Sequence, residues 1–178
     1  MREASPAAAP SSAPAVAPAF RQAMRRLAAT VSVISLGHPD GRHGITATAV
    51  TSLSMEPPAL LVCVNQAGFF HRLLEQETRF CVNLLHSEHA DVGLAFAGSE
   101  PADRRFARGD WDEDADGVPF LRNAQANLFC DKDRQIAYGS HSIFIGSVRR
   151  VEVREDIAPL IYQDGAFLRP EALPGSPG

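Results

Sequence analysis

Strand-forming segments separated by short turns fill the middle of this chain and limit the folds open to it. Residues 30–36 (TVSVISL) alternate and are rich in β-branched side chains, and a Pro-Asp-Gly turn within residues 37–41 leads to a second strand from about His43 through GITATAVTSLS. Two strands joined by so short a turn form a hairpin. Pro57 and Pro58 then precede ALLVCV, whose apolar residues at every position predict a strand covered on both sides.

Four further strands and three helices complete the predicted elements. Apolar residues at helical spacing predict helices near residues 20–28, 68–77 and 87–96, the last with Ser87 as N-cap and Gly98 at its end. Strands are predicted over residues 79–85, 124–130, 134–138 and 142–153, and a change of apolar phase in the last one indicates a β-bulge around Arg149 and Arg150. The charged and turn-rich residues 99–117 predict a surface loop outside the core, in which Trp111 is the one aromatic anchor. The fold class predicted is mainly β with peripheral helices, a closed or nearly closed antiparallel barrel, because strands and helices do not alternate as in a doubly wound sheet.

Length and charge restrict the organisation and the partners. A chain of 178 residues that is 45% hydrophobic is the size of one domain. We expect a disordered Ala/Pro/Ser-rich tail over residues 1–18 rather than a secretory signal, a folded domain over residues 19–169, and a loose tail over residues 170–178. The net charge of -4 and the lack of a basic cluster argue against nucleic acid or an anionic membrane surface as a partner.

The remaining sequence signals are mostly exclusions. Cys63, Cys81 and Cys130 are an odd number within or beside apolar runs, which predicts reduced packing residues and a cytoplasmic location. His86 and His89 have helical spacing for a metal pair, but polar residues are ordinary at a helix start, so no metal site is predicted. No nucleophile elbow, Walker loop or Gly-x-Gly-x-x-Gly fingerprint occurs, so a nicotinamide cofactor cannot be bound by a Rossmann unit.

The strand over residues 44–54 is the strongest candidate for a ligand site because it carries five hydroxyl groups and three small residues. Alternation places Thr46, Thr48, Val50 and Ser52 on one face and Ala47, Ala49 and Thr51 on the other. Small side chains let a flat ring approach the backbone, and hydroxyls with free N–H groups can hold a phosphate without a glycine-rich loop. The same composition also suits an ordinary Thr-rich strand, so the residues alone leave both interpretations open.

Several motifs in one order resemble the flavin reductase-like family, whose fold is the FMN-binding split barrel. They are GITATAVTSLSMEPPALLVCVN, RFCVNLL, LAFAG, RRF, GSH with IFIGSV, and PLIY with Gly165, and they run from about Phe20 to Leu168. The chain is similar in particular to the reductase components of two-component flavin-dependent monooxygenases, of the 4-hydroxyphenylacetate monooxygenase reductase and pyrimidine-utilisation flavin reductase types. The resemblance implies an NAD(P)H-dependent reductase that passes a hydride from NADH or NADPH to FMN or FAD and supplies free reduced flavin to a separate oxygenase. It also implies a homodimer with the site at the subunit interface.

The resemblance assigns roles to individual residues. It places Thr46, Ala47, Thr48 and Ala49 along the isoalloxazine ring and ribityl chain, and Cys63, Val64 and Asn65 beside the ring. It places Thr51, Ser52 and Arg105, with Phe106 of the RRF motif, at the phosphate. His141 of the Gly-x-His element lies at the mouth of the site near the nicotinamide, and Tyr162 and Phe167 close the site. Relatives usually carry a serine shortly after the asparagine, where this chain has Gln66-Ala67-Gly68-Phe69, so a contact to the phosphate or a ribityl hydroxyl is either missing or replaced by a backbone N–H. From the residues alone, Arg105 equally suits a solvated surface, His141 a turn, and Tyr162 the core.

Two other functions stay open from the sequence. One is an oxidase that holds FMN tightly, of the pyridoxamine phosphate oxidase type, and the other is a flavin- or haem-binding module without turnover. Hydride transfer between two cofactors needs no protein acid or base, since the cofactors carry the chemistry and the protein orients them. The absence of a catalytic triad or paired carboxylates is therefore compatible with a reductase, in which His141 would be a positioning residue.

Overall fold

The structure, a computed structural model, describes residues 16–171 and 174. Most of the predicted N-terminal tail, and of the C-terminal one, lies outside the described residues. In chain order, the helices and strands of the described part are α1 (Val16–Met24), β1 (Ala29–Thr30), β2 (Ser32–His38), β3 (Gly41–Ala47), β4 (Val50–Met55), β5 (Pro58–Asn65), α2 (Phe69–Gln76), β6 (Arg79–Leu84), α3 (Ala90–Leu94), β7 (Trp111–Glu113), β8 (Pro119–Leu121), β9 (Ala126–Tyr138), β10 (His141–Val153), β11 (Ile161–Gln163) and β12 (Ala166–Leu168). Short 3₁₀ helices at Ser87–His89 and Ala102–Ala107 and a π-helical turn at Ala95–Ser99 complete them.

Seven strands form one antiparallel sheet in the order β3-β2-β6-β9-β10-β5-β4. Its two edge strands, β3 and β4, follow each other in the chain and are separated only by Thr48 and Ala49. The sheet therefore curls until its edges meet at these two residues, where the Cys63 N–H donates to the Ala49 carbonyl at 3.0 Å. The predicted antiparallel split β-barrel is confirmed. The prediction of one continuous strand over residues 44–54 is wrong, because its two halves pair on opposite edges.

The long hairpin of β9 and β10 lies in the middle of the sheet. The predicted β-bulge is confirmed, because the pairing shifts between Val148 and Arg150 and leaves Arg149 extra. The prediction of two strands within residues 124–138 is wrong. Pairing continues through the charged segment, which is mostly exposed, with Asp133 accommodated by a second shift.

Strand β5 is fully buried on one face only, although its sequence predicts cover on both. The buried residues are Leu60, Val62 and Val64, whereas Ala59, Leu61 and Cys63 of the other face are half-buried. The buried face belongs to the core cluster inside the barrel, together with Phe80 and Phe144.

The helices pack around the barrel. Helix α2 agrees with its predicted position, and Lys132 Nζ donates to two of its last carbonyls, those of Leu74 (2.8 Å) and Glu75 (2.7 Å). Helix α1 begins earlier than expected, and its apolar stripe of Phe20 and Met24 is exposed rather than covering the barrel. No helix within residues 16–171 has both the length and the apolar character needed to cross a bilayer.

The segment predicted as a helix over residues 87–96 changes its winding twice, from 3₁₀ through α3 to the π-helical turn. Its N-cap is His86 and not Ser87, because His86 Nδ1 accepts the Glu88 N–H at 3.2 Å. Gly98 ends it as predicted, with a φ of 112°.

A buried polar network ties the barrel to the segment that contains β8. The side chain of Asn83, which is fully buried, donates to the Val33 carbonyl and to Ser35 Oγ, both at 2.9 Å. Its carbonyl oxygen accepts the Leu121 N–H and the Asn127 amide, both at 2.8 Å. The network is satisfied, and Asn83 is its centre, although Ser35 also donates to the Pro119 carbonyl and Asn127 to the Leu121 carbonyl.

We expect Asn83→Leu to lower the free energy of unfolding by about 2–4 kcal/mol, because two buried donors lose their acceptor. Urea unfolding would show a lower midpoint with an unchanged slope. Gln76→Leu, the same change of chemistry at an exposed position of α2, serves as the control. Equal midpoints for the two variants would contradict a stabilising role for the network.

Candidate functional site

A cavity of about 450 Å³ opens where β3, the end of β5 and the start of α2 meet. Its lining comes from residues 42–46, 64–65, 68–71, 96–97, 102, 105 and 106. We call it the main cavity. Five predicted site residues line it: Thr46, Val64, Asn65, Arg105 and Phe106. They lie far apart in the chain, and the closure of the barrel brings them together.

Arg105 supplies a positive charge to the main cavity. It is half-buried, and its guanidinium donates to the carbonyls of Glu100 (3.3 Å) and Gly44 (3.4 Å). Within residues 16–171 no carboxylate oxygen lies within 4.0 Å of it, whereas the neighbouring Arg108 pairs with the Glu100 carboxylate at 2.7 Å. Carbonyl oxygens fix the orientation of a guanidinium without neutralising its charge, so Arg105 favours an anionic ligand.

The start of α2 offers backbone donors beside this charge. Asn65 Oδ1 accepts the Ala67 N–H at 2.9 Å, and the Gly68 N–H donates to the Asn65 carbonyl at 3.1 Å, so the loop folds around Asn65. Gly68 is the N-cap of α2 and provides no side-chain acceptor for the first N–H groups of the helix. Because Gly68, Phe69 and Phe70 line the cavity, these N–H groups lie at its wall.

Aromatic rings form another wall. Phe106 packs edge-to-face against Phe96 and Trp111, each with ring centroids 4.9 Å away. The close fit needs Gly44, since a Cβ there would come within 2.7 Å of the Phe96 ring. Trp111 is the aromatic anchor predicted for residues 99–117, and Phe106 is a second one that the prediction missed.

A second cavity of about 330 Å³ adjoins the main cavity and shares Thr46 and Ala97 with it. The predicted site residues Ala47, Thr48, Tyr162 and Phe167 line it. Thr46 Oγ1 donates to the Gly93 carbonyl at 2.7 Å and so holds β3 against α3 at the boundary of the two cavities.

The other predicted residues of the broken strand lie elsewhere. Thr51 and Ser52, on β4, line a third and largely apolar cavity of about 400 Å³ together with β5 and β10. Ala49 and Cys63 line none of these three cavities and meet through their backbone. The prediction of a single face lined with hydroxyls is wrong, because the break at Thr48 and Ala49 divides the hydroxyl groups between both sides of the barrel opening.

His141 lies at the rim of the main cavity rather than in its lining. It is the first residue of β10, is exposed, and pairs with Asn65 in the sheet. Its carbonyl accepts the Gln66 amide at 2.9 Å, and its Nδ1 lies 2.9 Å from Ser140 Oγ. The loop is thus fixed while one edge of the imidazole remains open to a ligand.

The structure adds cavity residues that the sequence analysis missed, namely Arg42, His43, Phe69, His71 and Phe96. His71 is buried, its Nε2 lies 2.8 Å from Ser142 Oγ, and its Nδ1 lies 3.6 Å from a Glu75 carboxylate oxygen. A usable signal existed for two of them, since Arg42 and His43 directly precede the hydroxyl-rich run on the same strand.

Two of the three thiols, those of Cys81 and Cys130, are poor candidates for chemistry. Burial raises the pKa of the Cys81 thiol well above its ordinary value and that of Cys130 to about 12, so neither forms a thiolate near neutral pH. The main cavity is partly aromatic and offers backbone donors and a cation, Arg105, that has no carboxylate partner within residues 16–171. This arrangement suits binding of a planar, anionic ligand.

Comparison with known proteins identifies the family to which the chain is similar. The model of the flavin reductase-like domain family matches residues 24–170. The reductase component of an FADH(2)-dependent resorcinol hydroxylase from Rhizobium sp. (strain MTP-10005) is 42% identical over 146 residues, which cover 81% of this chain and 82% of that protein. The FMN reductase (NADH) RutF 1 of Methylorubrum extorquens (strain PA1) is 37% identical over 154 residues, covering 86% of this chain and 75% of that protein.

A solved structure agrees at the level of the fold. The NADH:FAD oxidoreductase SgcE6 of Streptomyces globisporus C-1027 superposes with a TM-score of 0.82 at 26% identity, covering 95% of this chain and 100% of that one. Since the family model covers most of the chain and the curated relatives exceed 30% identity, this chain belongs to the flavin reductase-like domain family.

Proposed function

We propose that this protein is an NADH-dependent flavin reductase that binds FMN or FAD across the main and second cavities and releases it in the reduced form. The observation that carries the proposal is the Arg105 guanidinium, which has no carboxylate partner among the described residues and lies beside the uncapped start of α2. A phosphate supplies the negative charge that this pair of features favours. NADPH is the alternative reductant.

The proposal assigns a task to each part of the site. Arg105 and the first N–H groups of α2 bind the phosphate, with Phe106 holding the Arg105 segment in place. Thr46, Ala47 and Thr48 lie along the ring and ribityl chain, with Val64 and Asn65 across from them and Tyr162 closing the second cavity. Ala49 and Cys63, which line neither cavity, would border the flavin only through their backbone at the break. Thr51 and Ser52 lie on the β4 side, so they contact the same flavin only where it passes the break at Thr48 and Ala49.

Bound flavin supplies N5 as the acceptor of the hydride that leaves C4 of NADH, and NAD⁺ is the other product. The protein contributes stacking, orientation and exclusion of water. His141, at the rim, donates an N–H to the carboxamide or a phosphate of the nicotinamide cofactor and so positions it. No side chain of the site has to move a proton for the transfer.

The protein acts with partners in this proposal. Reduced flavin passes to a separate flavin-dependent oxygenase, as the name of the resorcinol hydroxylase relative indicates for that protein. We further propose a homodimer, which is supported by apolar residues exposed along β4 and β10, including Met55 (84% exposed) and Val153 (72%).

The three free cysteines support a cytoplasmic location for the protein. Residues 19–169 would form its single folded domain.

Steady-state kinetics with purified protein test the function directly. Loss of NADH absorbance should increase with added free FMN or FAD and saturate, and the four combinations of two flavins and two nicotinamide cofactors would establish the preferred pair. A protein that stays yellow through purification and does not consume NADH would instead indicate an oxidase or a non-catalytic binder. Absence of measurable affinity for both oxidised flavins would refute the proposal.

Replacing Arg105 with methionine should weaken flavin binding about 10- to 100-fold, because a charge-assisted contact of roughly 1.5–3 kcal/mol is lost. Fluorescence titration with FMN measures the dissociation constant. Arg104→Met is the matched control, since Arg104 is exposed on the same 3₁₀ helix and lines no cavity described above. An equal, small effect of both substitutions would remove Arg105 from the phosphate site.

His141→Ala should raise the KM for NADH about tenfold, as expected for loss of one hydrogen bond, while the dissociation constant for flavin stays close to that of the unmodified protein. His141→Gln keeps an N–H donor at the rim and should recover part of the loss. If His141→Ala leaves both the KM for NADH and the turnover number unchanged, His141 does not position the nicotinamide.

A further inference from the structure

The hairpin between β2 and β3 brings together two imidazoles and a carboxylate that the proposed reductase reaction does not use. In the register of the two strands His38 pairs with Gly41, and His43 pairs with Leu36. His38 and Leu36 are two residues apart on β2, so His38 and His43 lie diagonally on the same face of the hairpin. Asp40, in the turn, lies between them.

The three side chains already converge on one point. His38 Nδ1 lies 2.5 Å and His43 Nε2 lies 2.8 Å from the same oxygen, Oδ1 of Asp40. The candidate ligand atoms of all three residues lie within 4.8 Å of one another. Both imidazole side chains are about four-fifths buried, whereas more than half of the Asp40 side chain is exposed. The point where the three side chains meet is therefore covered by protein on the side of the imidazoles and open to solvent on the side of Asp40.

We propose that His38, Asp40 and His43 form a binding site for a divalent transition-metal ion of the Zn²⁺ class. Two imidazoles and one carboxylate are a ligand set that Zn²⁺ accepts, with the fourth position left for water. Bonds of about 2.0–2.2 Å in a tetrahedron place ligand atoms about 3.3 Å apart. Each imidazole nitrogen therefore has to separate from the Asp40 oxygen by less than about 1 Å, and the two nitrogens, which lie within 4.8 Å of each other, have to approach by at most about 1.5 Å. The metal then replaces the hydrogens that the imidazoles now donate.

The surroundings match those of a metal site. On the far side of the His38 ring, Nε2 lies 3.9 Å from a Glu77 carboxylate oxygen, which is longer than a hydrogen bond, so Glu77 has to move closer to pair with the ring. A carboxylate at the second nitrogen of a ligating histidine fixes the ring and strengthens the ligand. Gly41 has a φ of 131°, so the turn keeps a conformation that few other residues adopt. The hydrogen bonds of both imidazoles to Asp40 hold the three side chains near these positions before any metal binds.

The site adjoins the main cavity. His43 lines that cavity, and its ring packs against Phe69 with centroids 5.7 Å apart. A metal on His43 Nε2 fixes the ring that faces the cavity. The metal site stands on the hairpin alone and does not depend on the proposed flavin chemistry.

Isothermal titration of tag-free protein with Zn²⁺ tests the proposal, and the absorption bands of bound Co²⁺ report the ligand set. We expect one ion per chain, with binding at least tenfold weaker in His38→Asn and in Asp40→Asn, because even an outer-shell partner of a metal ligand changes affinity by that factor. Glu77→Gln should weaken binding less than either. Circular dichroism and thermal melting establish that each variant is folded.

Two controls separate this site from other binders of Zn²⁺. His89→Asn removes a mostly buried imidazole of the His86-x-x-His89 pair, and Cys63→Ser removes the thiol that is not fully buried. Neither should alter the affinity. Equal affinity of the unmodified protein and folded His38→Asn, or a loss in either control as large as that in Asp40→Asn, would overturn the proposal.

Discussion

The structure depends on one constraint, which is that a seven-stranded antiparallel sheet closes on itself through a single break in the chain. Thr48 and Ala49 connect the two edge strands, and the Ala49 carbonyl accepts a hydrogen bond from β5. A closed sheet leaves few free edges, so the opening beside this break is the place where backbone and small side chains face a possible ligand. The main and second cavities lie on the β3 side of the break and the third cavity on the β4 side.

Closure also explains where the polar groups collect. The interior of the barrel is filled by apolar side chains, so charged groups are placed at its rim, on the segments that cross the open end. The Asn83 network and the Phe96, Phe106 and Trp111 cluster hold two of these segments in place. Arg105 is oriented by carbonyls of the segments around it rather than by a carboxylate, which leaves its charge available to a ligand.

The sequence predicted the strands, the bulge at Arg149 and the barrel class because these follow from local periodicity and turn chemistry. It failed where closure of the barrel overrides local pattern. The hydroxyl-rich run looks like one strand, and only the pairing of its halves with different neighbours breaks it. The exposed stripe of α1 could not be distinguished from a covered one, since amphipathic spacing indicates a face but not what packs on it.

The sequence predicted those residues of the candidate site that belong to short continuous motifs. Val64 and Asn65, and Arg105 and Phe106, are adjacent in sequence and reach the main cavity together. His71 and Phe96 reach it from helices whose inward faces can be identified only after packing. The sequence did not predict the cluster of His38, Asp40 and His43, because these residues have the spacing of a turn. Only His86 and His89 have the helical spacing of a common metal-binding pair.

Strand β3 connects these observations, because its two faces serve different structures. Ile45 pairs with Ile34 and, like His43, lies on the face that turns into the barrel, whereas Gly44 and Thr46 face the π-helical turn and α3. A change at the hairpin reaches the cavity through the side chains of Arg42, His43 and Ile45, because Gly44 has no side chain and Thr46 is held by the Gly93 carbonyl. The proposed phosphate contact of Arg105 lies beside Gly44, whereas the proposed metal would act on the face that carries His43, so the two proposed ligands would meet at one cavity from different faces of one strand.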